Sequence, residues 1–273
     1  MKKYNEYEQE QIEAIKAWKS EEVDIINKSF GLVTSPAMWL MERFIPMTAI
    51  MRAINKANTA AEWLTDSNDI LRESNVAEIH ELKKANLKLC DTLANKIHNW
   101  AIGIAAVEGG LTGSAGIFGF IADIPAIITL ALRTIHKIGL CYGFQSNRNI
   151  ENQFILSILS AAGANSADER ANALIILKSI ELTIAKQAWK EIAEKAFQQQ
   201  LSKEGALISI KSLAKQLGIN LTERKALQTI PAFGALIGGP INAWYIKDVG
   251  WAARRAFQER WLIDNYQFHP NLF

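Results

Sequence analysis

Apolar side chains recur three, four and seven residues apart along nearly the whole chain, and the alternation that marks a β-strand is almost absent. Leu82, Leu89, Leu93, Ile97, Trp100 and Ile104 form the clearest run, with Lys83, Lys84, Lys88, Asp91 and Lys96 on the other face. This pattern predicts a helix of roughly 30 residues starting at Val76. A helical period kept over so much of the sequence makes the fold all-α, because a sheet would need period-two segments to bury one face. The chain's 273 residues suffice for a substantial core, as one large domain or two ordinary ones.

Helix ends are written in capping chemistry and in proline. A charged helix is expected from residue 3 to about 29, with Ile12, Ile15, Val23 and Ile26 as its stripe and Gly31 beyond its end. Thr34-Ser35-Pro36 starts a second helix, and Pro46 either kinks it or starts a third. Residues 65–75, TDSNDILRESN, are polar and read as a loop or short linker. That stretch divides an N-terminal helical region, 1–75, from a main domain, 76–273, unless the two are continuous. Ser166 and Glu169 make a capping box for a helix through Leu174, Leu177, Ile184 and Ile192 to about residue 201, and a short helix follows that ends at Gly218.

Two segments are apolar and glycine-rich. The first, 101–144, contains Gly109, Gly113, Gly116 and Gly119, and its Asp123 and Pro125 read as a helix cap followed by an early proline. In the second, 21 consecutive residues from Ala226 to Ile246 carry no charge, a length that would permit a membrane span. Pro231 and Pro240 bracket its glycines, however, and Glu108, Asp123 and Arg133 interrupt the first segment too often for a span. Both segments therefore read as helical hairpins, buried or interfacial, at the centre of a multi-helix bundle. Gly109 and Gly113, Gly116, and Gly234 and Gly238 would let two backbones approach closely, in a re-entrant membrane hairpin or in a tight crossing within a core.

Charge and cysteine usage narrow the function classes. Thirty Lys and Arg stand against 28 Asp and Glu, a net charge of +2, which gives no global basic field for nucleic acid. Residues 210–230 resemble a helix-turn-helix, but the recognition helix would run into the uncharged segment, so no nucleic-acid partner is expected. Cys90 and Cys141 form neither a disulfide framework nor a zinc pattern, and the N-terminus has no signal-peptide core. The expected setting is the cytoplasm, with peripheral attachment at the inner face of the cell membrane. A 49% hydrophobic composition, a mean hydropathy of +0.01 and eight tryptophans lie between those of a soluble enzyme and a polytopic membrane protein. Membrane lipid or a membrane protein is the partner this suggests.

Ionisable residues in the apolar first segment are the candidates for chemistry. If the helices flanking its turn pack antiparallel, Glu108 faces Asp123, and His98 lies level with Arg133 about 15 Å further down, with His136 nearby. The set is either an acid–histidine cluster, with Glu108, Asp123 and His136 as catalytic candidates, or a salt bridge to Arg133 plus an Asp123 cap. No HExxH-like pair fixes two metal ligands on one turn and no phosphate-loop signature follows the glycines, so no metal or cofactor is expected. Arg254, Arg255, Arg260 and Trp261 are the candidate peripheral membrane patch.

The strings GGLTGSAGIFGFIADIPAIITLALRTIHKIGLCYGF and IPAFGALIGGPINAWYIKDVGWAARRAFQERWL resemble the EcsC protein family over residues 80–262. That bacterial family is helical, is named from a gene beside an ABC transporter, and has no settled biochemical activity. The resemblance implies a fold and a membrane-related context rather than a reaction. The expectation is thus a non-enzymatic protein associated with membrane or lipid; a hydrolase with its site between the hairpins and a conditionally inserting pore-type protein are the alternatives.

Overall fold

Ile12 and Ile15, Ile50 and Ile54, Leu132 and Ile135, and Leu217 and Leu221 come from four widely separated helices, yet all enter one apolar cluster. The computed structural model describes residues 3–20, 47–59, 66–113, 116–145, 149–187, 208–227 and 241–266. Among them are nine α-helices, one 3-10 helix and no strand. The α-helices are α1 (Glu6–Ser20), α2 (Met47–Thr59), α3 (Asn68–Ser74), α4 (Leu87–Gly113), α5 (Gly116–Cys141), α6 (Asn149–Ala162), α7 (Ala167–Gln187), α8 (Ile210–Leu227) and α9 (Ile241–Tyr266). The 3-10 helix, Ile79–Lys84, sits between α3 and α4. The protein is an all-α multi-helix bundle.

Helix α9 is the axis of the bundle. It packs most extensively on α4, then on α5, α6 and α1, while α4 pairs with α5, α6 with α7, and α2 lies across α5 and α8. Close approach needs small side chains, and α4 turns Cys90, Ala94, Ala101 and Ala105 inward. The α4 stripe read from large apolar residues is therefore rotated from the real one: Leu82 and Leu93 are buried, but Trp100 is 47% exposed. The pairing of α9 with α4 and α5 relies on two glycines. A Cβ on Gly250 would lie 2.1 Å from the His98 ring, and one on Gly139 would lie 2.7 Å from Phe257.

Several helix boundaries differ from those expected. The polar stretch 65–75 contains α3, and Pro46 directly precedes a new helix at Met47. The expected 30-residue helix is split: a 3-10 turn, opened by a Glu78–Glu81 capping box, ends at Lys84 before α4 begins. Helix α4 runs past Glu108 to Gly113, and α5 begins at Gly116, so Asp123 and Pro125 lie inside a helix instead of starting one. An interior proline costs about 3 kcal/mol; the apolar packing of α5 overrides that penalty. Ser166 does accept from the Glu169 amide at 3.2 Å, although the Glu169 carboxylate takes the Asn165 amide, one residue earlier than a standard box. Helix α8 continues through Gly218, so the turn that a helix-turn-helix requires is not there. Residues 21–46 and 228–240, including Gly234 and Gly238, lie outside the described part.

Replacing Gly250 by alanine should force α4 and α9 apart and break the bond that fixes His98. A loss of about 1–3 kcal/mol is expected from overpacking, read as a lowered urea midpoint with unchanged helical circular dichroism at low denaturant.

Candidate functional site

The two strings that carry the family resemblance meet in space. The first ends at Phe144, just after Gly143, whose φ of 83° is in the left-handed region. Phe144 N–H donates to Gly139 O, and Gly143 N–H to Leu140 O, each at 2.9 Å, a Schellman closure of α5. A Cβ on Gly143 would lie 2.5 Å from the Lys83 amide nitrogen, so both the torsion and the neighbouring 3-10 helix demand glycine. The closure sends Tyr142 and Phe144 toward Phe257 of α9, with ring centroids 6.3 and 5.8 Å away. Arg260 lies 4.0 Å from the Phe144 centroid and forks onto Glu151 at 2.5 and 2.7 Å.

At the centre of this meeting is Asp91 of α4, only 3% exposed. Its carboxylate accepts from the Tyr142 hydroxyl at 2.5 Å, from Gln258 Nε2 at 2.7 Å and from the Tyr7 hydroxyl at 2.6 Å. Gln258 is held in turn by Gln11 and Arg255, and Arg254 donates to Asn95 at 3.0 Å. Burial and then the adjacent carboxylate push the Tyr142 hydroxyl well above its ordinary value, so it remains a donor. A second buried group joins α1 and α7 to α9: Glu259 meets Lys19 at 2.5 Å and Lys178 at 2.6 Å, and Lys178 also meets Glu181. Burial and the Glu259 charge push Glu181 up to about 8 against the pull of both lysines. These groups have partners and tie helices together; their arrangement is that of a structural seam.

The seam corrects the expected membrane patch. Arg254, Arg260 and Trp261 are 9%, 4% and 3% exposed, and Arg255 is half-buried. Their polar groups face α4, α6, the 3-10 helix and α1; Trp261 Nε1, for example, donates to Leu82 O at 3.4 Å. Arg254, Arg260 and Trp261 therefore serve the interior and form no surface patch in this fold.

The expected acid–histidine cluster is not assembled by the described side chains. His98 does lie within two residues of the level of Arg133, which stacks on Trp100, but it points to α9: its Nε2 lies 3.0 Å from Lys247 O and its ring is edge-on to Trp251. Nε2 must carry the proton there, because a carbonyl only accepts. His136 is buried with no partner for Nε2. Burial lowers both histidines to about 4. Glu108 and Asp123 belong to α4 and α5, but their side chains lie outside the described part, as does whatever packs on Gly109, Gly113 and Gly116. No group of three His, Cys, Asp or Glu able to hold a metal occurs among the described residues.

Among the described residues, α4 presents an apolar stretch to solvent on one face. Its outer side is polar as far as Asn99, with Lys88, Thr92 and Lys96 exposed, and then becomes apolar. Trp100, Gly103, Ile104 and Val107 follow at helical spacing and line an open groove of about 480 Å³. Val107 is 66% exposed. Two cations of α5 flank the indole: the Arg133 guanidinium carbon is 5.4 Å from its centroid and the Lys137 ammonium 6.0 Å. Lys137 is ion-paired to Asp69 at 2.7 Å. The sequence contained the signal for this face, because the inward positions of α4 are mostly small and its large side chains must then point elsewhere.

A family model, EcsC protein family, matches residues 9–262. The chain belongs to the EcsC protein family. Two proteins of Bacillus subtilis (strain 168) are similar to it. Uncharacterized protein YdbA is 23% identical over 213 residues, covering 76% of this chain and 73% of the relative. Protein EcsC is 26% identical over 157 residues, covering 58% of this chain and 57% of the relative. No solved structure matches the chain.

Two measurements test the seam. Asp91→Ala strands the buried Tyr142 and Gln258 donors at about 1–3 kcal/mol each, so roughly 2–6 kcal/mol of stability should be lost in urea titrations. The histidines give a pH dependence of definite sign. An unfolded histidine gains its proton near pH 6.5 while these two resist until about 4. Their stabilisation is therefore complete above pH 6.5 and is lost as pH falls through 4, by on the order of 3 kcal/mol each. His136→Phe should lose less stability than the parent chain between pH 7 and 4, with the difference isolating this histidine from the acid titration of carboxylates.

Proposed function

We propose that this EcsC-family protein is a non-enzymatic, peripheral membrane protein that works at a lipid surface, on the cytoplasmic side. The observation carrying the reading is the exposed α4 stripe, in which a tryptophan, an isoleucine and a valine share one helix face with two cations beside the indole. Indole above an apolar face and beside basic side chains suits the boundary between headgroups and acyl chains, where the ring is half solvated.

Lying on the membrane is favoured over crossing it. Among the described residues one helix, with its window at Ile124–Cys141, is long and apolar enough to span by length and composition, but 78% of that window is buried inside the protein. It would have to leave the core to reach lipid, and α9, α4 and α2 would lose their apolar contacts with it. The α4 stripe requires no such rearrangement.

The full chain, free of detergent, should float with neutral phosphatidylcholine vesicles in a density gradient. Trp100→Ser combined with Val107→Ser should weaken partition about tenfold or more, since burying one such side chain is worth about 1.5–3 kcal/mol. Partition unchanged by the double substitution would remove this face from the reading, and a parent chain that stays at the bottom of the gradient would overturn the reading.

A further inference from the structure

The two cations beside Trp100 differ in one respect. Lys137 has its counter-charge within the protein, in Asp69. Arg133, one turn earlier on α5, has no ion pair among the described residues, and its Nε is buried with no hydrogen-bond partner. It lies over the Trp100 ring, at the edge of the apolar groove. The residue interrupts the most apolar of the described helices, where an uncompensated charge is costly.

We infer that Arg133 recognises anionic headgroups, so that the Trp100 face selects membranes rich in acidic phospholipid over neutral ones. The inference rests on the membrane-surface reading and adds the lipid class to it. A guanidinium presents a rigid fork of N–H donors that matches a phosphate oxygen pair, and it retains its charge at any physiological pH. The half-buried Arg133 lies across the indole, where the phosphate of a lipid would sit above acyl chains laid along Ile104 and Val107. The chain's net charge is only +2, so a preference for acidic lipid would have to come from a local group of this kind.

The experiment compares flotation of the full chain with phosphatidylcholine vesicles and with vesicles that are about one-third phosphatidylglycerol, at 0.15 M salt. The parent chain should partition about fivefold more strongly onto the acidic vesicles, the gain one basic residue near such a surface provides. Arg133→Gln should abolish that difference while retaining binding to neutral vesicles. Lys211→Gln, at an exposed position on α8, should keep the preference. Equal binding of the parent chain to both vesicles overturns the headgroup assignment and leaves the surface reading standing. Binding to neither overturns both. A preference that survives in Arg133→Gln, or that Lys211→Gln also removes, overturns the assignment of Arg133. Thermal unfolding of each variant confirms that the fold is retained.

Discussion

A carboxylate taken out of water must be solvated by the protein instead, and Asp91 is solvated by donors from three helices far apart in sequence. Tyr7 is 84 residues away, Tyr142 is 51 and Gln258 is 167. Each must arrive in the right register for the site to be satisfied, and each arrival fixes a helix: α1 through Tyr7, the closed end of α5 through Tyr142, and α9 through Gln258. Apolar contact alone would tolerate sliding and rotation of these helices. The hydrogen bonds around Asp91 permit one arrangement, because any other strands buried donors at about 1–3 kcal/mol apiece.

The same logic explains why so many charged residues of α9 face inward. Arg254, Arg255, Gln258, Glu259 and Arg260 form a polar belt around an otherwise apolar axis, and partners on α4, α1, α7 and α6 meet it in turn. Phe257 and Ala253, on the remaining sides, fill the core. Specificity on this helix is polar and adhesion is apolar, and the family string WAARRAFQERWL contains both.

The helical class, the bundle and the start of α7 were legible in the sequence because they follow from periodicity and capping, which are local. The facing of α4 was not. Counting large apolar residues picked the stripe ending at Trp100 and Ile104, whereas the buried stripe is made of Ala94, Ala101 and Ala105, residues that hydropathy barely registers but close packing needs. Arg254, Arg260 and Trp261 looked like surface chemistry because their partners, such as Glu151 and Leu82, are more than a hundred positions away and no local rule connects them. Asp123 with Pro125 misled for the opposite reason: a sound local rule was overridden by tertiary packing that holds α5 helical through the proline. The small residues Ala94, Ala101 and Ala105 were there to be read, and taking them as the inward face would have placed Trp100 and Val107 outside.

The central position of α9 also bears on how the chain reaches its fold. The hydrogen bond from Arg255 to Gln11 joins residues 244 apart, and Tyr266 reaches back to Glu8 across 258. Of the described helices α9 emerges latest from the ribosome, yet it supplies the partners for α1, α4 and α6. Until it docks, the apolar flank of α5 and the acceptors of Asp91 and Glu151 face water or whatever else covers them. A topology closed by its latest helix has many long-range contacts and slow formation. During that interval the nascent chain presents a broader greasy surface than the mature protein, and any membrane or chaperone nearby has its best opportunity to engage it then.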